Sequence, residues 1–150
     1  MVEGLVFERS EPTVEPAAGL LLAAEEALTD LYGPTVPLPR ELLLVPDGCY
    51  LVAWHAGRSI AGGGFTRHAE RTAEIRRMFV VPGFRSRGVA RRLLAALEDE
   101  LRRAGYQRAI LDTGAKQPHA EALYRDSGYV DIENFRGPAS RASFWGAKDL

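Results

Sequence analysis

The spacing of apolar residues along the chain changes several times, and each change marks an element. Leu5 and Phe7 alternate with more polar neighbours, predicting a first strand over about Gly4 to Arg9. Thr13 offers a cap for a helix running to about Tyr32, on which Leu20, Leu21, Ala24, Leu28 and Leu31 recur at helical spacing. Gly33 ends it. Pro34, Pro37, Pro39 and Pro46 break up the next stretch, which reads as a substrate-shaping loop with one helical turn at Arg40 to Leu44. Cys49 to Ala56 and Arg58 to Arg67 read as two strands closed tightly at Ala56-Gly57. The second arm carries Gly62-Gly63-Gly64, and glycines weaken a strand unless something must come close to it.

Thr72 to Val81 is the next strand, stopped by Pro82-Gly83. A helix follows over Val89 to Arg103 with Leu93, Leu94, Leu97 and Leu101 inward; Glu98 with Arg102 and Asp99 with Arg103 are expected as i,i+4 pairs on its outer face. Gly105 stops it, and Gln107 to Asp112 reads as a buried strand. Strand, helix, strand at this length implies a parallel pair with a right-handed crossover. Gln117 to Asp126 is a short helix ended by Gly128, and Tyr129 to Glu133 and Ala142 to Asp149 close the chain as a pair of strands.

Composition adds bounds. At 150 residues, 46% hydrophobic and 26% charged, the chain reads as one ordinary globular domain, 1–150. No apolar run approaches the roughly 18 residues of a membrane span. The start, with Glu3 and Glu8, lacks a basic segment followed by an apolar stretch, so a cytoplasmic, membrane-free location is expected. Cys49 is the only cysteine, which excludes an intrachain disulfide and reads as a small buried residue. His55, His68 and His119 have no metal-ligand spacing, and no metal is expected. Charge is uneven: residues 1–50 carry nine acids and two bases, whereas 51–110 carry five acids and twelve bases. The acidic first third reads as solvated helix faces or as the neighbour of a cationic substrate; the basic middle suits a polyanionic small molecule better than a nucleic acid, which wants a broader excess.

That basic middle holds Arg85-Ser86-Arg87-Gly88-Val89-Ala90, between a strand and a helix. A glycine turn opening a helix presents bare N–H groups and the positive end of the helix dipole, which suits a phosphate, and Arg85 and Arg87 add charge there. Glu74 to Asn134 resembles the GNAT superfamily of N-acetyltransferases, whose Arg/Gln-x-x-Gly-x-Gly/Ala turn corresponds to Arg85, Gly88 and Ala90. A second motif of that family resembles Gln117 to Tyr129, with Ala120, Tyr124, Gly128 and Tyr129 at its spacing; Gln117 stands where asparagine is frequent.

The resemblance implies an α/β (α+β) fold: a mixed, mostly antiparallel sheet of about six to seven strands flanked by about four helices. It implies acetyl-CoA as acyl donor, with pyrophosphate on Arg85, Ser86, Arg87, Gly88, Val89 and Ala90. The pantetheine arm then pairs with main chain at Met78, Phe79 and Val80, and Gln117 lies near that arm. Glu74, fourteen positions before Gly88, corresponds to a strand glutamate that takes the acceptor's proton in several members. Its alternative is a cross-strand pair with Arg76 or Arg67. Tyr124 corresponds to the tyrosine that protonates the leaving thiolate, or else simply packs. Direct transfer to a primary amine, with the Met78 N–H holding the oxyanion, is the expected chemistry. A small-molecule amine is the expected acceptor, with a protein lysine or N-terminus, or a non-catalytic acetyl-CoA-binding module, as alternatives. Members of the family commonly dimerise through the last strands. No nucleic acid or membrane partner is expected.

Overall fold

The computed structural model describes residues 2–150. Strand β1 (Val6–Arg9) pairs antiparallel with β2 (Cys49–His55), β2 with β3 (Arg58–Ala69), and β3 with β4 (Thr72–Val80). Strand β5 (Arg108–Thr113) runs parallel to β4, and β7 (Phe144–Asp149) lies antiparallel to β5 with the two-residue β6 (Val130–Asp131) at its outer edge. One seven-stranded sheet results, in the order β1-β2-β3-β4-β5-β7-β6. It carries three α-helices, α1 (Ala17–Tyr32), α2 (Val89–Arg103) and α3 (Pro118–Asp126), with 3₁₀ turns at Arg40–Leu43 and Pro82–Phe84. The mixed, mostly antiparallel sheet is as expected; the α-helices number three rather than about four, because the proline-rich stretch makes only a 3₁₀ turn.

Alternation along β2 divides the interior in two, since successive strand side chains face opposite ways. Leu51 and Ala53 join Leu93, Leu94, Leu97 and Leu101 of α2 in one core, which also takes in Tyr124 of α3. Tyr50 and Val52 join Leu20 and Leu21 of α1 and Leu43 of the 3₁₀ turn in the other.

Three local expectations are corrected. Helix α1 starts at Ala17 and has no cap from Thr13. Pro16 disfavours helical backbone at the residue before it, so no helix runs through from Thr13; Glu15 Oε1 instead accepts from the Gly19 N–H at 3.0 Å. Glu98 makes no pair with Arg102. It lies one turn beyond inward-facing Leu94, is 5% exposed, and accepts from the Tyr129 hydroxyl at 2.8 Å and Lys148 Nζ at 3.0 Å. The surface pairs are Arg102 with Asp99 and Arg103 with Glu100, three residues apart. The triple glycine, by contrast, has the close neighbours expected of it, and they come from within the protein: a Cβ on Gly62 would strike the Tyr50 hydroxyl, one on Gly64 the Cys49 carbonyl, and one on Gly63 would meet Met78 Cγ at 2.9 Å.

One irregularity positions the site. Strands β4 and β5 share three rungs, Thr72 with Arg108, Ala73 with Ala109 and Glu74 with Ile110, and then diverge. Beyond Glu74, β4 is held by β3 alone. Within that free stretch the β3–β4 register slips between Gly62 and Gly64, so Arg77 and Met78 together oppose Gly63, and Arg77 takes φ +57°. This is a β-bulge, which leaves an extra residue outside the ladder.

Candidate active site

The wedge between β4 and β5 opens into a cavity of about 950 Å³. One end is the turn from β4 to α2. Ser86 at φ +61° and Gly88 at φ +78° alternate handedness along it, a geometry that turns successive N–H groups toward one concavity. Gly88 occupies the cap position of α2, no side chain caps the helix, and nothing stands within 4 Å of where a Cβ on Gly88 would lie. The first-turn N–H groups are open to a ligand. Arg85, Ser86, Gly88, Val89, Ala90 and Arg91 line this end. The Arg85 guanidinium stands over the Phe79 ring at 5.3 Å and donates from Nε to the Val80 carbonyl at 2.9 Å, leaving its outer nitrogens free for an anion. Arg87 is not on the cavity wall; its guanidinium stands 5.8 Å from the Phe84 ring centre.

Met78, Phe79 and Val80 form the floor, and Tyr124 reaches it from α3. The Tyr124 hydroxyl is 4.0 Å from Met78 Sδ, and burial, with a smaller push from the Asp112 charge, raises its pKa to about 12. It is therefore a proton donor at neutral pH. Gln117, at the cap position of α3, accepts from the hydroxyls of Tyr32 at 3.2 Å and Thr113 at 3.3 Å, so its amide nitrogen remains available as a donor.

Glu74 is 4% exposed and sits on the last rung before the strands part. Arg76 Nε is 3.2 Å from its Oε2, Arg76 Nη1 is 3.5 Å from its Oε1, and Arg136 Nη2 also donates to Oε2. Arg67 pairs instead with Asp47 at 3.3 Å. Arg136 further donates from Nε to Asp112 Oδ2 at 3.0 Å, bridging the two diverging strands. Asp112 lines the cavity and Glu74 does not.

Sequence reasoning left out Asp112, Arg136, Arg141 and Glu25. Glu25 of α1 is 7% exposed; it accepts from the Leu38 N–H at 2.8 Å and from Arg40 at 2.8 and 3.0 Å, and Arg77 at the bulge stands 3.3 Å away. One carboxylate thus ties the proline-rich loop and the bulge to α1. A signal existed, since Glu25 follows inward-facing Leu21 by four. Among the described residues Asp112 is the one carboxylate on the cavity wall, beside several arginines. Cys49 is buried, and burial pushes its thiol up to about 11, as befits a packing residue. Among the described residues no helix is long and apolar enough to cross a membrane, and no group of three His, Cys, Asp or Glu is placed to hold a metal.

Residues 20–129 match the model of the acetyltransferase (GNAT) family. The chain is 35% identical over 137 residues to an IAA acetyltransferase of Azospirillum brasilense, covering 89% of this chain and 87% of that one. It is 32% identical over 120 residues to the uncharacterized N-acetyltransferase YjgM of Escherichia coli strain K12, covering 75% and 72%. Among solved structures, a GNAT family acetyltransferase from Elizabethkingia anophelis with acetyl-CoA bound superposes with a TM-score of 0.74 at 16% identity, covering 99% of each chain. A wedge in the sheet, an open helix N-terminus at its mouth and a family match across most of the chain lead to one conclusion: the protein belongs to the GNAT family of acetyltransferases and is an acetyltransferase enzyme.

Proposed function

We propose that the protein transfers an acetyl group from acetyl-CoA directly to a primary amine of a small molecule. The observation that carries this reading is the wedge itself. It joins an uncapped helix N-terminus fit for a pyrophosphate, a stretch of β4 without a partner on one side, and the Tyr124 hydroxyl in a single cavity. The residues fit the donor. Arg85, Ser86 and the N–H groups from Arg87 through Gly88 and Val89 to Ala90 hold the phosphates. Main chain at Met78, Phe79 and Val80 pairs with the amide-bearing arm, and the Gln117 amide donates to it. The acetyl-CoA bound in the Elizabethkingia anophelis relative supports the same donor.

The amine nitrogen attacks the thioester carbonyl, the N–C bond forms and the C–S bond breaks. The Met78 N–H, at the bulge, takes the charge that develops on the carbonyl oxygen. Tyr124 gives its proton to the departing sulfur. The amine's proton goes to Asp112, the carboxylate on the cavity wall, while Glu74 acts behind it by holding Arg136 in place. The proton lost by the amine balances the one gained by the thiol. Tyr32, Thr35 and Ala139 to Ala142 line the same cavity of about 950 Å³, a size that suits a small acceptor beside the donor's arm.

The test is thiol release from acetyl-CoA over a panel of amino acids, polyamines, aromatic amines, aminoglycosides and lysine peptides. Tyr124→Phe is expected to slow turnover about 10²-fold with acetyl-CoA affinity retained. Asp112→Asn is expected to lower kcat about 10²-fold with acetyl-CoA affinity retained. Should Glu74→Gln lower kcat and Asp112→Asn leave it unchanged, the proton goes to Glu74. Turnover confined to peptides would replace the small acceptor with a protein.

A further inference from the structure

The charges around the far end of the cavity identify a feature of the acceptor. Arg76, Arg77, Lys116, Arg136 and Arg141 line that end, against Asp112 alone. Three of the five are matched by carboxylates within the protein: Arg76 by Glu74, Arg77 by Glu25, and Arg136 by Glu74 and Asp112. Lys116 and Arg141 have no carboxylate partner among the described residues. Their partners are neutral carbonyls at the end of α1: Lys116 Nζ donates to Leu31 O at 2.8 Å, while Arg141 donates to Tyr32 O and, at 3.1 Å, to Pro34 O. Both are exposed and converge on the carbonyls that follow one another over residues 31–34. Burial is the main cause that lowers the Arg76 pKa; Glu74 and Asp112 pull it up, and Arg136 and Arg77 push it down.

We propose that the acceptor is an aminocarboxylic acid, with its carboxylate held by Arg141 and Lys116 while its amine faces Asp112. The carbonyls that now share these cations are weaker partners than an anion. A guanidinium meets a carboxylate through two parallel charge-assisted bonds, roughly twice as strong as neutral ones. A polyamine would place further positive charge against an end already rich in cations, and is disfavoured. The inference rests on the acetyl-transfer reading of this site and narrows its substrate class.

Matched acceptors test it. Each amino acid is compared with its carboxamide and its decarboxylated amine in the thiol-release assay, using wild type, Arg141→Gln, Arg141→Lys and Lys116→Gln, with acetyl-CoA affinity measured for each protein as the check on folding. The carboxylate form is expected to show about 10- to 100-fold higher kcat/KM than its carboxamide, mostly through KM. Arg141→Gln is expected to collapse that ratio toward one, Arg141→Lys to restore part of it, and Lys116→Gln to lower it less. Turnover that is equal across the matched forms, or greatest for polyamines, overturns the carboxylate site and leaves N-acetyl transfer standing. Absence of thiol release from every amine, with acetyl-CoA bound, overturns the transfer reading and this inference with it.

Discussion

Glu25 accepts from a backbone N–H and two arginines that approach from separate segments. Burial alone would raise its pKa, but the hydrogen bonds from Arg40, the Leu38 N–H and Arg77 outweigh it and hold the carboxyl at about 2. The folded pKa is below the unfolded value of 4.5, so this stabilisation is fully present above about pH 4.5 and is lost as pH falls from there toward 2. Its size is on the order of 3 kcal/mol. Chemical denaturation from pH 7 to pH 3 is expected to show this acid-side loss, and Glu25→Gln to flatten it; an unchanged acid limb would remove the latch. Glu25 and Glu98 were legible only in part. Each follows an inward leucine by four, but a carboxylate at such a position reads as solvated until its partners are known, and those partners, Arg77 and Lys148, lie 52 and 50 positions away.

Elements whose pattern repeats within a few residues read best. Helix α2 spans Val89–Arg103 as expected, because its inward leucines recur at three and four and a glycine brackets each side. Leu97 at its middle is fully buried, and Leu97→Ala is expected to cost about 2–5 kcal/mol, read from denaturant midpoints at unchanged slope. The Ala56-Gly57 turn was equally local: both residues take positive φ, as a two-residue hairpin of the primed type requires. By contrast the bulge at Arg77 depends on how β3 is aligned beside β4, and no spacing inside β4 announces it. Helix α1 starts at Ala17, four residues beyond Thr13, because Pro16 acts on Glu15, a two-residue effect that the periodicity of the leucines does not register.

Across the whole molecule, the basic stretch from residue 51 to 110 becomes most of β2, all of β3, β4 and α2 and the start of β5, and four of its arginines, Arg76, Arg77, Arg85 and Arg91, line one cavity. Acetyl-CoA affinity is accordingly expected to weaken as salt rises from low to physiological ionic strength, since exposed charges are screened within about 10 Å. Arg85→Ala is expected to weaken binding by about 1–3 kcal/mol and to flatten that salt dependence, as measured by calorimetric titration. Unchanged affinity would discard the phosphate role of Arg85. By itself the sequence determined the order of elements and the glycine turn before α2, because each rests on residues within a turn or two of one another; Tyr124 stood out only through its match to a family motif. Only the tertiary structure decided that Arg136 bridges Glu74 and Asp112 and that Arg141 reaches Tyr32, contacts spanning 62, 24 and 109 positions. Such pairs form where strands diverge and a late loop folds back, and chain distance carries no trace of that closeness.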